Sequence, residues 1–179
     1  YYGPAFEVPL YILSNSISDR FAIDIMSARH VGVFLFFAFS LVIFYVLLSA
    51  MNHSPVYGLL GVILLIVTPR FFAESFYNTK DMAFLSMTIL VLYASFRMNI
   101  KKWLTVVIAG VFTGIAISVR AQGLLLLFAV TLTLTLTEKI SLTKRAVVVM
   151  GYVALSLMTF FLTSPIFWND TFHNLLGFW

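Results

Sequence analysis

Hydrophobic and polar positions in this chain come in long blocks rather than alternating residue by residue. Six apolar runs stand out, at 31–50, 56–68, 82–96, 103–119, 122–137 and 146–163. A helix needs roughly 20 residues to cross the hydrocarbon core, and the first and last runs reach that length. The second stops at Pro69, because proline removes a helix hydrogen bond and clashes with the preceding turn. A span cut short in this way must end beside protein or water, since lipid cannot satisfy its free carbonyls. The segment after it therefore falls in a recess, partly sunk in the membrane. Within the fifth run, Thr131 to Thr137 alternates like a strand, but its continuity with Leu124–Val130 predicts a membrane helix with a threonine face. Threonine hydroxyls there can bond the carbonyl one turn back. The expected fold is an all-α integral membrane protein, a multi-span transmembrane helix bundle. Residues 31–163 form its six-span region, and 69–81 an extracytoplasmic loop.

The flanks are mixed rather than spanning. Phe6, Leu10, Leu13, Ile17 and Phe21 recur at helical spacing, with Ser14, Asn15, Ser18 and Asp19 on other faces. This pattern predicts that residues 1–30 are an extracytoplasmic interfacial segment containing a helix in the membrane plane. Residues 164–179 are aromatic and open on Ser164-Pro165. They read as the start of a further juxtamembrane segment. The chain begins at Tyr1 without Met and ends at Trp179 inside a new element, so it reads as an internal fragment of a longer protein.

Composition supports the membrane assignment. The chain is 61% hydrophobic and 10% charged, and its mean hydropathy is +1.02. A soluble domain is about 45–50% apolar. The net charge of +4 comes from scattered residues, not a basic stripe, so a nucleic-acid partner is not expected. With no cysteine there is no disulfide framework or thiolate metal site. His30, His53 and His173 show no ligand spacing. Lysine and arginine cluster at Arg97, Lys101 and Lys102, and again at Lys139, Lys144 and Arg145. An alternating topology puts both clusters on one side, assigned as cytoplasmic. The opposite side then carries Arg20, Arg29, Arg70, Lys80 and Arg120, nearly as many cations. An anionic ligand on that outer face would account for them.

The densest polar stretch is Thr68-Pro-Arg-Phe-Phe-Ala-Glu-Ser-Phe-Tyr-Asn-Thr-Lys-Asp81. Charge beside hydrocarbon is costly, roughly 2.5–3.5 kcal/mol per group at a helix centre, and such clusters mark wet cavities or sites. Asn78 is a candidate N-cap that places Asp81 at the third helical position, where a carboxylate complements the helix dipole. Lys80 at a helix start is disfavoured by that dipole. It reads as either a phosphate ligand or a snorkelling lysine. Glu74 lies among Phe71, Phe72, Phe76 and Tyr77; it is either a functional carboxylate or the ion-pair partner of Arg70 or Lys80. Arg70 and Arg29 are phosphate binders or interfacial anchors, the latter for Arg29 as a boundary pair with His30. Arg120 precedes a tight turn to Gly123 and should point at protein or ligand. Glu7 and Asp170 read as solvated interfacial carboxylates.

The stretch from Thr68 to Phe84 resembles bacterial glycosyltransferases of the dolichyl-phosphate-mannose–protein mannosyltransferase superfamily. These have the GT-C fold, and the superfamily includes the aminoarabinose transferases acting on lipid A. Their version reads Ser-Pro-Arg-Phe-Phe, a variable position, then Asn-Pro-Lys-Asp. Three further stretches are similar: Pro9-Leu-Tyr-Ile-Leu with Met26-Ser-Ala-Arg29, Gly114-Ile-Ala-Ile-Ser-Val-Arg-Ala-Gln-Gly123, and Ser164-Pro-Ile-Phe-Trp-Asn-Asp170. Asn78-Thr79 departs from the commoner Asn-Pro. The family's catalytic Asp lies in a loop upstream of Tyr1, so this stretch alone is expected to be inactive.

The resemblance implies inverting transfer of a sugar from a polyprenyl-phosphate donor to an extracytoplasmic protein, lipid or glycan, in the bacterial inner membrane. Lys80, Arg70, Arg120 and Arg29 would bind the donor phosphate. Glu74 would orient the acceptor or help hold a divalent metal, with Asn78, Asp81 and Tyr77 completing the loop. Two other functions fit the same pattern: a secondary transporter, whose broken helices also carry charge, and an inactive lipid-binding subunit of the same fold.

Overall fold

The structure is a computed structural model that describes residues 3–99, 102–136 and 141–168. Lys101, Lys139, Asp170 and His173 lie outside the described residues, as do the last two positions of the Ser164–Asp170 motif. Every regular element among the described residues is helical: α1 (Pro4–Phe21), α2 (Ile25–Met51), α3 (Pro55–Val67), α4 (Pro69–Glu74), α5 (Asp81–Phe96), α6 (Trp103–Val119), α7 (Gly123–Leu136) and α8 (Leu142–Leu162). A single 3-10 turn, Pro165–Phe167, follows. The chain is an all-α membrane helix bundle. α2 and α8 are long and apolar enough to cross a membrane, while α3, α5, α6 and α7 are shorter apolar helices.

The apolar runs and the helices coincide, but three boundaries move. α2 starts at Ile25 rather than 31, because the Asp24 carboxylate accepts from the amides of Met26 (2.9 Å) and Ser27 (3.3 Å) and caps it there. Arg29 and His30 therefore sit on the first turns of a helix, not in an interfacial strip before it. α8 starts at Leu142, which brings Lys144 and Arg145 into its first turn. The expected loop 69–81 is only part loop. Pro69 ends α3 and also starts α4, since its fixed φ suits a first helical position. The threonine run is helical as far as Leu136, and Thr137 lies outside the described residues. Thr133 donates to the Ala129 carbonyl at 2.9 Å and Thr135 to that of Leu132 at 2.8 Å.

Two clusters hold the bundle. In one, Val91, Val106, Ala109, Ala116 and Tyr152 join α5, α6 and α8. In the other, Leu10, Val33, Phe37 and Met82 join α1, α2 and α5. The most extensive packing is between α6 and α8. It relies on close backbone approach at Gly114, where a Cβ would strike the Ser156 carbonyl and the Thr159 side chain. Beside it the Thr113 and Tyr152 hydroxyls meet at 2.8 Å, pairing two polar groups in an apolar interior.

α1 packs on α2 and α6. Its polar face is not the one the pattern predicts: Ser14 is buried, and its hydroxyl is satisfied by the Leu10 carbonyl at 2.6 Å. Leu13 and Phe21, expected on the apolar face, are exposed. Gly3, just before α1, lies against the backbone of Ser118 and Val119 so closely that no side chain would fit. That contact brings the start of α1 to the end of the bundle where α2 and α5 begin and α6 ends.

Candidate active site

A cleft of about 840 Å³ opens at this end of the bundle. Glu7 and Tyr11 of α1, Arg29 and His30 of α2, and Tyr77 and Lys80 of the turn before α5 line it. The Gly3 contact aims the first turn of α1 at α2. Arg29 then donates from Nη2 to Glu7 Oε2 at 2.6 Å, a short charge-assisted bond between partly buried side chains. Glu7, expected to be a solvated carboxylate, is thus a wall of the cleft. Its other oxygen, Oε1, is buried without a hydrogen-bond partner among the described residues.

The turn that carries Tyr77 and Lys80 is shaped by a continuous polar chain. Arg70 Nε donates to Glu74 Oε1 at 2.9 Å, one helical turn along α4. Asn78 Nδ2 donates to Glu74 Oε2 (3.0 Å) and to Asp81 Oδ2 (3.1 Å). Arg120, just past α6, pairs with Asp81 Oδ1 and also donates from Nε to Gln122 at 3.2 Å. The Asn78 side-chain oxygen accepts from the amides of Lys80 (3.1 Å) and Asp81 (2.8 Å). Asn78 is therefore the cap of α5 by its hydrogen bonds, although the regular helix is counted from Asp81. Asn78 ties α4 to α5 and orients the backbone at Lys80, and Asp81 carries the chain on to Arg120 at the end of α6.

The candidate residues thus divide into two groups. Arg29, Lys80 and Tyr77 face the cleft, with Asn78 at its edge. Arg70, Glu74, Asp81 and Arg120 form the polar chain behind the turn. Arg70 and Arg120 each pair with a carboxylate and do not line the cleft, and the Arg70 side chain is 77% exposed. For Glu74, the simpler alternative of an Arg70 pair is realised. Both of its oxygens are engaged by Arg70 and Asn78, and no group of three His, Asp or Glu gathers among the described residues. This donor set does not suit a divalent cation at Glu74.

Glu7, Tyr11 and His30 belong to the cleft without having been singled out for it. Glu7 and Arg29 are 22 positions apart, and only the docking of α1 brings them together. Below the cleft, Phe34 of α2 stacks on Phe76 (5.1 Å between centroids, 2° between planes), and Phe72 meets Phe76 edge-on at 5.4 Å. Of the aromatic residues around Glu74, Phe72 and Phe76 thus pack against each other, and Phe76 holds the turn to α2.

Among known families, the model of the dolichyl-phosphate-mannose-protein mannosyltransferases matches residues 19–168. No curated protein and no solved structure matches the chain.

Proposed function

The chain belongs to the dolichyl-phosphate-mannose-protein mannosyltransferase family, and from that premise we propose that the cleft binds the phosphate of a polyprenyl-phosphate sugar. Membership implies a membrane glycosyltransferase, and it supports the GT-C type. The finer reading is that it transfers the sugar to an extracytoplasmic acceptor with inversion. The single observation that carries it is the convergence of Arg29, His30 and Lys80 on one cleft at one end of the bundle.

In this reaction an acceptor O–H or N–H attacks the anomeric carbon. The bond from that carbon to the phosphate oxygen breaks, and the polyprenyl phosphate departs with the electron pair. Negative charge therefore grows on the phosphate as the transition state is reached. Cations fixed beforehand stabilise that charge without reorganising at the moment of reaction. Arg29 is fixed by Glu7, and the Lys80 backbone by Asn78. Lysine offers a compact charge and arginine a planar fork, and both suit phosphate oxygens. Arg70 and Arg120 act at one remove: they hold Glu74 and Asp81, which hold Asn78. Proton abstraction from the acceptor is assigned to none of Glu7, Glu74 and Asp81, because each is already paired with an arginine; the resemblance places the base in the family's loop upstream of Tyr1.

The test is sugar transfer in membranes carrying the full-length protein, with polyprenyl-phosphate mannose, glucose and galactose offered as donors. Wild type should transfer one of these, and Arg29→Gln should lose at least tenfold in kcat/KM. No transfer from any donor, with the protein folded, would move the reading to a transporter or an inactive subunit.

A further inference from the structure

α5 leads away from the cleft. It runs 16 residues from Asp81 to Phe96, about 24 Å at 1.5 Å per residue, and Arg97 ends it at the opposite end of the bundle. There a groove of about 230 Å³ lies between α5 and α6. Tyr93, Ala94 and Arg97 line it on one side, and Thr105, Ile108 and Phe112 on the other. Tyr93 and Arg97 are one helical turn apart, as are Thr105, Ile108 and Phe112 in succession, so each helix gives a single face to the groove. The Thr105 hydroxyl is spent on the connection between the helices: it accepts from the Asn99 amide and reaches the Lys102 carbonyl, both at 2.8 Å. The groove is therefore an apolar trough whose remaining polar groups are the Tyr93 hydroxyl and the Arg97 guanidinium. Arg97 is exposed and forms no ion pair among the described residues. A cation after a helix C-terminus suits the dipole, but the dipole does not account for an apolar trough beside it.

We propose that this groove holds an anionic phospholipid of the surrounding bilayer, with its phosphate on Arg97 and an acyl chain against Ile108 and Phe112. Depth supports the fit. Lys102 and Trp103 begin α6 and are both exposed, and lysine and tryptophan mark the headgroup boundary of a membrane helix. From that level the groove face of α6 passes through Ile108 to Phe112, towards the middle of the span. Ile108 is 41% exposed, so the groove opens on the outer surface of the described bundle. Water in it would wet apolar walls, whereas an acyl chain covers them. Charge then selects the headgroup. The planar fork of arginine matches phosphate oxygens, and the Tyr93 hydroxyl is a further donor. Lys102 adds a second cation at the same end of the bundle. A zwitterionic headgroup carries its own ammonium into that positive field and gains less.

The test is native mass spectrometry of the full-length protein purified in detergent, titrated with dioleoyl phosphatidylglycerol or dioleoyl phosphatidylcholine. One basic side chain facing an anionic lipid contributes roughly fivefold in affinity, so wild type should bind phosphatidylglycerol about fivefold more tightly than phosphatidylcholine. Arg97→Gln should bring the two lipids to within about twofold of each other, whereas Lys144→Gln, in the first turn of α8, should keep the preference. Ile108→Trp leaves every charge in place and fills the trough, so it should also weaken phosphatidylglycerol binding. Equal binding of the two lipids by wild type would overturn the proposal, and that result needs no variant to fold. An unchanged preference in Arg97→Gln would overturn it too, as would an equal loss in Lys144→Gln, which would mean diffuse attraction to the basic end of the bundle. Displacement of phosphatidylglycerol by inorganic phosphate at equal concentration, or full binding in Ile108→Trp, would mean a simple anion site with no acyl chain in the groove, and would overturn it equally.

Discussion

Asn78→Ala strips the turn of its hub. The substitution removes the oxygen that accepts from the Lys80 and Asp81 amides, and the amide group that bridges Glu74 and Asp81. Loss of an N-cap costs about 1 kcal/mol. The two bridging bonds end on charged groups, each worth about 1.5–3 kcal/mol in a buried setting. Both carboxylates keep their arginines and the site is only partly buried, so about 1–2 kcal/mol for the two together is the discounted figure. The total of about 2–3 kcal/mol shifts an unfolding equilibrium by roughly 30- to 150-fold. Denaturant unfolding of the detergent-solubilised protein reads this directly. Asn78→Ser separates the two parts, because serine also caps but cannot bridge. It should recover about 1 kcal/mol of stability while sugar transfer stays as low as in Asn78→Ala. If Asn78→Ala unfolds within about 0.5 kcal/mol of wild type and transfers sugar normally, the polar chain does not organise the site.

The Arg120–Asp81 pair is about one-third exposed at each side chain, so Arg120→Gln should cost less than about 1 kcal/mol of stability. Adding Asp81→Asn should restore part of any lost transfer, and a double-mutant cycle with no coupling would dissolve the pair as a unit. Gly114→Val should cost about 1–3 kcal/mol or more by forcing α8 off α6, read as loss of monodisperse protein in detergent; normal yield and stability would contradict the close approach. Tyr77 is 58% exposed whereas Ser75 is buried, so Tyr77→Cys is the position for topology labelling. A membrane-impermeant maleimide should reach it in intact cells, and Arg97→Cys only after permeabilisation; the reverse would invert the proposed orientation.

Most of the helical architecture was legible because apolar runs and proline stops act locally. Trp103–Val119 is both an apolar run and a helix, and Pro69 breaks the chain where expected. Local pattern failed where a tertiary contact or a side-chain hydrogen bond overrides it. Ser14 looks polar in sequence, yet its hydroxyl bonds its own helix and it behaves as a small core residue. Asp24 carried the start of α2 in a cap that block hydropathy does not register. Within the site, Asn78 as a cap was readable from its place before Asp81. The pairs Glu7–Arg29 and Asp81–Arg120 were not, because each joins residues that only helix packing brings together. The cations expected to share one phosphate therefore separate into those on the cleft and those behind it.

The central claim is that the cleft holds the donor phosphate. Its most direct test is equilibrium binding of a radiolabelled polyprenyl phosphate to the purified full-length protein, with Lys80→Ala, Arg29→Gln and Arg70→Gln beside wild type. At least tenfold weaker binding is expected for Lys80→Ala and Arg29→Gln, and less than threefold for Arg70→Gln, whose side chain pairs with Glu74 and does not line the cleft. Unchanged affinity in both cleft variants, or the largest loss in Arg70→Gln, would contradict it.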